Sequence, residues 1–188
     1  MKKPILLLSI LFALAACKKE AVVIPSPAPL KYANVANIKV DTLPNMAAFK
    51  LKMVMANDTN NYDETMFLFQ KTASSAYDPN EDAAYFAGFG RESLASISSD
   101  GRDLAINRLP YTRGMAISLD VNASSDGTFS FQISYKNKIP ASFQIWIKDA
   151  YMKDSTNVNT GNYSFNVIKA DTNSFGNKRF KLVLKNSN

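Results

Sequence analysis

The chain has 188 residues, of which 46% are apolar and 20% charged, with 22 Lys and Arg against 16 Asp and Glu. This length is enough to bury the core of one domain. The absence of His and the single Cys exclude Ser-His-Asp and Cys-His catalysis, His-ligated metals, iron–sulfur clusters and an intramolecular disulfide.

The first sixteen residues predict a lipoprotein signal peptide. Lys2 and Lys3 supply a positive start, and residues 5–14 form an apolar stretch of the length of a secretory core, about half of what a transmembrane helix needs. The stretch ends in Leu-Ala-Ala-Cys, a bacterial lipobox. We therefore expect Cys17 to be acylated after cleavage and to attach the protein to a membrane.

The residue after the lipobox bears on the membrane that holds the anchor. Lys18 stands where an Asp would favour retention at the inner membrane of enteric bacteria. The sequence therefore favours the outer membrane. Lys18-Lys19-Glu20 only partly resembles the Lys-then-acidic tag of surface lipoproteins, so a periplasmic and a cell-surface orientation both remain open.

A tether is predicted between the anchor and the folded domain, over residues 17–46. Pro25, Pro27 and Pro29 exclude a helix and favour an extended chain. Residues 32–40 are also compatible with a short edge strand. The folded domain is expected to occupy residues 47–188.

From residue 47 onward, apolar and polar residues alternate in short segments separated by turn signals. The predicted strands are 49–55, 65–70, 103–109, 115–121, 127–135, 143–147, 163–168 and 180–184. One helical turn is the alternative for residues 80–86. The pattern predicts an all-β domain, a single antiparallel β-sandwich of about eight to ten strands, jelly-roll-like or Ig-like.

Several short motifs occur in one order along residues 50–184, and together they resemble a β-sandwich module of large bacterial surface proteins exported by type IX secretion. The motifs are Tyr77-Asp78-Pro79 with Asp82, Leu94, Ser99-Asp100-Gly101, residues 104–110, Asp126-Gly127, residues 145–149, residues 161–165 and residues 179–184. The resemblance implies a structural or adhesive role and no reaction. Asp41-Thr42-Leu43 looks like the O-glycosylation motif of the same bacterial group, with Thr42 as the acceptor.

Two acidic loops contain candidate oxygen ligands for Ca²⁺, and Asp78 and Asp82 are the first candidates. The same residues also suit an ordinary turn around Pro79. Arg108 and Arg179 are expected to pair with an acid such as Asp103 or Asp149 in a partly buried, structural ion pair.

Aromatic residues are the candidates for stacking on a sugar. Trp146 lies opposite the alternating Phe143, Ile145 and Ile147, so it faces outward if those three face the core. A core position for Trp146, in a strand covered on both faces, is the favoured alternative. Tyr111, Tyr135 and Tyr151 are further candidates.

The leading hypothesis is an outer-membrane lipoprotein with a non-catalytic β-sandwich that has a structural, adhesive or envelope-associated binding role. A carbohydrate-binding module that delivers glycans to an uptake system is the first alternative, and a glycan hydrolase is the second. An exposed sheet edge would also allow strand addition by a partner. The membrane, a glycan or an envelope protein are the expected partners. Because the basic residues are scattered along the chain, we expect a mixed, solvated surface and no nucleic-acid partner.

Overall fold

The computed structural model describes residues 43–88 and 90–186, and these residues form eleven β-strands. The strands are β1 (Ala47–Met55), β2 (Asp58–Phe69), β3 (Ala83–Ala84), β4 (Glu92–Ile97), β5 (Asp103–Leu109), β6 (Ala116–Ala123), β7 (Gly127–Asn137), β8 (Phe143–Asp149), β9 (Asp154–Asn157), β10 (Tyr163–Val167) and β11 (Phe180–Asn186). Within the described ranges the only helical element is a 3₁₀ turn at Thr172–Ser174. The prediction of an all-β fold is confirmed.

The strand periodicity is confirmed most clearly in β6, β8 and β10. In β8, for example, Phe143, Ile145 and Ile147 are buried and alternate with more exposed residues. This is the pattern expected of strands with one face on a core and one face in water.

The strands form one sheet with the order β10-β7-β1-β2-β5-β4-β6-β11-β8-β9, and β3 pairs with β5 outside this path. All neighbours are antiparallel except β2 and β5, which pair in parallel from Met66↔Ile106 to Phe69↔Leu109. The sheet is therefore mixed, and the expectation of a purely antiparallel arrangement was wrong at this one pairing. The chain can make a parallel pairing here because residues 70–102 provide the long connection that parallel strands need.

The two parts of the sheet face each other across a shared core, as in a β-sandwich. The Phe180 ring of β11 packs against Phe165 of β10 at 4.7 Å and against Phe131 of β7 at 5.0 Å between ring centroids. At the other end of the core, the Tyr111 ring lies between Phe69 and Phe143, at 6.3 and 5.2 Å. Aromatic contacts thus join strands that are far apart in the strand order.

The interior of β5 differs from the sequence expectation. Ile106 was expected to share the inner face with Leu104, but Ile106 is partly exposed and Asn107 is buried. The reason is a bulge: Ala83 pairs with Ile106 and Ala84 with Leu104, so β5 has one extra residue in this pairing.

Some elements lay outside the sequence prediction, namely β3, β4, β9 and the first half of β2. The sequence of β9 is Asp-Ser-Thr-Asn and contains no apolar residue that would mark a buried face. The alternative of one helical turn near residues 80–86 was wrong, because Ala83 and Ala84 form β3. The chain turns just before this strand, where the Asp82 N–H donates to the Asp78 carbonyl.

Replacing Phe180 by Ala should lower the free energy of unfolding by about 3–5 kcal/mol, because Phe180 is fully buried between the two parts of the sheet. Urea unfolding followed by tryptophan fluorescence measures this change. The matched control is Phe86→Ala, because Phe86 is 84% exposed and its loss should change stability by less than about 0.5 kcal/mol. Equal effects of the two substitutions would contradict the packing described here.

Candidate functional site

A buried ion pair between Asp149 and Arg179 lies beneath the surface around Tyr151. Asp149 ends β8, Arg179 immediately precedes β11, and both residues are at least 97% buried. The Arg179 Nη2 donates to Asp149 Oδ2 at 2.8 Å, and Nε donates to both carboxylate oxygens at 3.1 Å. The expectation that Arg179 pairs with an acid such as Asp149 is confirmed, and the pair is fully buried.

The same pair fastens β10 and the segment that precedes β11. Arg179 Nη1 donates to the backbone carbonyls of Asn166, at 2.7 Å, and Ser174. The Tyr163 hydroxyl donates to Asp149 Oδ2 at 3.0 Å. Strand β10 lies at one end of the strand order and β8 close to the other, so these bonds bridge the two ends of the sheet.

The electrostatics of the pair favour a charged Asp149. Burial alone raises the pKa of this carboxyl, but the hydrogen bonds from Arg179 and from the Met152 N–H outweigh it and hold the pKa below its ordinary value. Burial, followed by the hydrogen bond to Asp149, raises the pKa of the Tyr163 hydroxyl. Tyr163 therefore stays neutral and acts as a donor.

Tyr151 lies next to this ion pair and contacts Asp149, Asp171 and Arg179. Its backbone N–H donates to Asp149 Oδ1 at 2.9 Å, and its hydroxyl donates to Asp171 Oδ2 at 2.9 Å. The Arg179 guanidinium carbon lies 4.9 Å from the centre of its ring. Tyr151 is nevertheless 39% exposed, so it presents an aromatic side chain whose orientation these contacts fix.

Tyr151 lines two cavities, which we call the Tyr151 clefts. The first has a volume of about 460 Å³ and the second about 610 Å³. The first cleft is lined by residues of the segment before β11, including Thr172, Asn173, Phe175, Asn177 and Lys178. The second is lined by Met152, Lys153, Asp154, Tyr163, Ser164, Phe165, Asn166 and Ile168.

The carboxylates beside the clefts already accept hydrogen bonds from the scaffold. Asp171 accepts the N–H of Asn173, at 3.0 Å, and the hydroxyl of Tyr151, and these bonds lower the pKa of its carboxyl. Asp154 Oδ1 accepts the N–H of Ser155 at 2.6 Å. The clefts therefore combine an aromatic ring, amide side chains and carboxylates that support the fold.

The other aromatic candidates lie elsewhere in the domain. Trp146 is half-buried on the outer face of β8, so the favoured expectation of a core position was wrong. Its indole N–H donates to Gln144 Oε1 at 3.0 Å, and the Lys185 ammonium lies 4.3 Å from the centre of its ring. Tyr111 packs at the edge of the core, and Tyr135 is exposed near the end of β7. None of these three lines the Tyr151 clefts.

The candidate calcium ligands form an ordinary turn in the structure. Asp82 Oδ2 accepts the N–H of Asp78 at 2.8 Å, and its Oδ1 accepts the N–H of Arg108 at 2.7 Å. Asp78 Oδ1 accepts the N–H and the side-chain amide of Asn80. In the described part of the chain, no three Asp, Glu, His or Cys side chains form a group that could hold a metal ion. The Arg108 Nη1 lies 4.0 Å from Glu81 Oε1. Among the described residues, the ion pair of Arg108 is therefore with Glu81 and not with the expected Asp103.

Glu92 is a buried acid that the sequence did not single out. Both of its carboxylate oxygens lack a hydrogen-bond partner among the described residues, and burial raises the pKa of the group. It lines a cavity of about 230 Å³ together with Tyr85, Asn122 and Lys169. The high pKa favours the neutral acid, which lowers the cost of burying it without a partner.

Sequence reasoning missed most residues of the Tyr151 clefts. Residues 171–178 read Asp-Thr-Asn-Ser-Phe-Gly-Asn-Lys, a composition typical of a loop, and no local signal shows that this loop returns to Tyr151. Two predicted sites, Cys17 and Thr42, lie outside the residues that the structure describes.

Comparison with known sequences identifies the N-terminal motif. Residues 1–17 match the prokaryotic membrane lipoprotein lipid attachment site. The chain is a membrane-anchored lipoprotein. The resemblance of residues 50–184 to the type IX-associated module gains no support from the comparisons, because the match covers residues 1–17. No curated protein and no solved structure matches the chain. In the described residues, no helix combines the length and apolarity needed to span a membrane.

Replacing Asp149 by Asn should lower the free energy of unfolding of the lipoprotein by about 3–5 kcal/mol at pH 7, because Arg179 would remain buried without its counter-charge. As the pH falls below about 4, the unfolded chain binds a proton at this position before the folded chain does, so the native protein loses this contribution. The difference between native and variant proteins should therefore shrink in acid.

Urea unfolding at pH 7, 5, 4 and 3 measures this dependence. Asp154→Asn is the matched control, since Asp154 is exposed and its carboxylate accepts the N–H of the neighbouring Ser155. A difference between native and Asp149→Asn proteins that stays constant with pH would contradict a charged, paired Asp149.

Proposed function

We propose that this lipoprotein is held at the outer membrane and that its β-sandwich is a non-catalytic binding module of the cell envelope. The observation that carries the binding role is Tyr151, which is partly exposed, lines two cavities and is held by Asp149, Asp171 and Arg179. A concave site with an aromatic surface and a few oriented polar groups is the usual form of a ligand-binding site.

The non-catalytic part of the proposal is supported by the use of the nearby acids. General acid–base catalysis of glycoside hydrolysis needs two carboxyl groups that face the bond to be cleaved. Beside the Tyr151 clefts, Asp149 is bound to Arg179, and Asp171 is bound to Tyr151 and to the backbone of Asn173. Both acids therefore have structural roles that explain their positions.

Placement at the outer membrane is supported by Lys18, which follows the lipidated Cys17. We expect the native protein, made in an enteric bacterial host, to appear in the dense outer-membrane fraction of a sucrose gradient. Lys18→Asp should move it to the inner-membrane fraction, and Cys17→Ala should abolish the mass increase of acylation. Inner-membrane fractionation of the native protein would contradict the proposed location.

A glycan is the ligand class that a specific observation favours. Sugar rings present flat C–H faces that pack on aromatic rings, together with hydroxyl groups that need hydrogen-bond partners. Asn166, Asn173 and Asn177 line the same clefts as Tyr151, and their side-chain amides are suitable partners for such hydroxyl groups. Because Tyr151 lines both clefts, a glycan of more than one sugar has room to contact it.

Glycan binding can be tested with the mature chain without residues 1–16 and with Cys17→Ser, which keeps the protein soluble during purification. Tyr151→Ala should weaken binding on a glycan array by about tenfold or more, because it removes the aromatic surface. Tyr151→Phe keeps the ring and should retain most of the affinity.

Trp146→Ala is the matched aromatic control, because Trp146 lies on the outer face of β8 with its ring beside Lys185. It should leave binding unchanged. Binding that depends on Trp146 instead of Tyr151 would contradict the assignment of the site. Absence of glycan binding by the folded native protein would contradict a glycan ligand and direct attention to β10, which ends the strand order of the sheet.

A further inference from the structure

Five segments that are far apart in the sequence meet at one end of the sandwich, which we call the basic end. The segments are residues 43–46, 69–71, 109–115, 136–143 and 185–186. Strand pairing brings four of them together: Ala47, which directly follows residues 43–46, pairs with Phe69, Ala48 pairs with Asn137, and Phe69 pairs with Leu109.

Further contacts join the remaining segment to the same end. The Leu184 N–H donates to the Met115 carbonyl at 3.2 Å. The Tyr111 ring contacts both Phe69 and Phe143. These contacts connect the two facing parts of the sheet, so the five segments form one continuous surface.

This surface carries positive charge only. The five segments contain no Asp and no Glu. Their five basic side chains are all exposed: Lys71, Arg113, Lys136, Lys138 and Lys185. In the described part of the chain, the ion pairs involve Lys50, Arg108 and Arg179, and none of these belongs to the basic end.

The basic end also exposes amphipathic and apolar side chains. Met46 lies within the basic end and Tyr135 directly precedes its residues 136–143, and both side chains are exposed. Trp146 lies next to Lys185 on the adjoining face. Lysine and arginine together with Tyr and Trp are the side chains that favour the interface between water and lipid headgroups.

The covalent connection to the anchor enters the domain at this end. Leu43, the first described residue, is buried there beside Asn45, Phe69 and Tyr111. Residues 18–42 lead from it to Cys17, which the lipid attachment signal places at the membrane. Attachment through a short chain keeps the local concentration of membrane surface high, so even weak contacts are effective.

We propose that the basic end binds the anionic phosphate headgroups of the bilayer that holds the lipid anchor. Charge complementarity favours this partner, since negative membrane surfaces attract clustered Lys and Arg over about one Debye length. The inference rests on the lipid attachment site and not on the ligand of the Tyr151 clefts.

The test uses mature protein without residues 1–16 and with Cys17→Ser, so that binding does not depend on acylation. Co-sedimentation is measured with phosphatidylcholine vesicles that contain either no phosphatidylglycerol or one third of it, at about 50 mM and about 300 mM NaCl. We expect binding only to the anionic vesicles and release at the higher salt concentration.

The test variant combines Lys71→Gln, Arg113→Gln and Lys136→Gln. Each basic side chain near an anionic membrane surface raises the affinity by about fivefold. The triple variant should therefore bind the anionic vesicles at least about tenfold more weakly than the native protein. An unchanged melting temperature would show that the variant is folded.

The control variant combines Lys148→Gln, Lys169→Gln and Lys181→Gln, which removes the same charge from exposed positions outside the basic end and outside the Tyr151 clefts. It should bind anionic vesicles within about twofold of the native protein.

Three results would overturn the proposal: equal losses in the two triple variants, equal binding to neutral and anionic vesicles, or no binding to anionic vesicles at low salt. If the native protein bound soluble heparin through the basic end but did not bind the vesicles, the partner would be a soluble polyanion and not the lipid. Because glycan binding at Tyr151 is measured separately, either proposal can fail without the other.

Discussion

The buried pair of Asp149 and Arg179 is the interaction on which the candidate binding site depends. Removing two opposite charges from water costs free energy, which is recovered only when the charges meet in good geometry and their remaining hydrogen-bonding capacity is filled. Here the carboxylate accepts bonds from Arg179, Tyr163 and backbone N–H groups, and the guanidinium also binds two backbone carbonyls. The pair therefore specifies how β8, β10 and the segment before β11 come together.

The position of Tyr151 follows from this constraint. The residue comes two positions after Asp149, and its N–H is one of the donors to that carboxylate. Its hydroxyl binds Asp171, which belongs to the same segment that Arg179 fastens through Ser174. The exposed ring is thus part of a rigid network, and a ligand would not have to fix its orientation on binding.

The sequence predicts those strands whose own residues alternate between apolar and polar. Strict alternation in β6 and β8 is enough to assign both strand and inner face, because buried and exposed positions differ in polarity. The parallel pairing of β2 with β5 has no such signal, and neither has β9, whose four residues are all polar. The bulge in β5 places Asn107 at the inner face, where alternation had predicted Ile106. This bulge depends on the pairing with β3, so it cannot be inferred from the sequence of β5 alone.

The candidate sites differ in how much of them could be predicted from the sequence. The lipobox is contiguous, so its chemistry is evident at Cys17. A structural ion pair of Arg179 with an acid such as Asp149 was predicted, but the cavities beside Tyr151 depend on the path of residues 171–179. The cations of the basic end are spread from Lys71 to Lys185, so along the chain they resemble an ordinary mixed surface. Only the strand register brings them together.

The two proposed surfaces occupy opposite ends of the same strands, and this arrangement has a consequence for function. Strand β8 begins at Phe143, beside the basic end, and finishes at Asp149, beneath Tyr151. Its seven residues span about 20 Å at about 3.3 Å per residue. Strand β11 spans the same distance in the opposite direction, from Phe180 to Asn186. If the basic end rests on the headgroups, the Tyr151 clefts face away from the bilayer and are open to large envelope ligands. The distribution of charge would then orient the binding site, because a lipid anchor alone leaves the domain free to rotate.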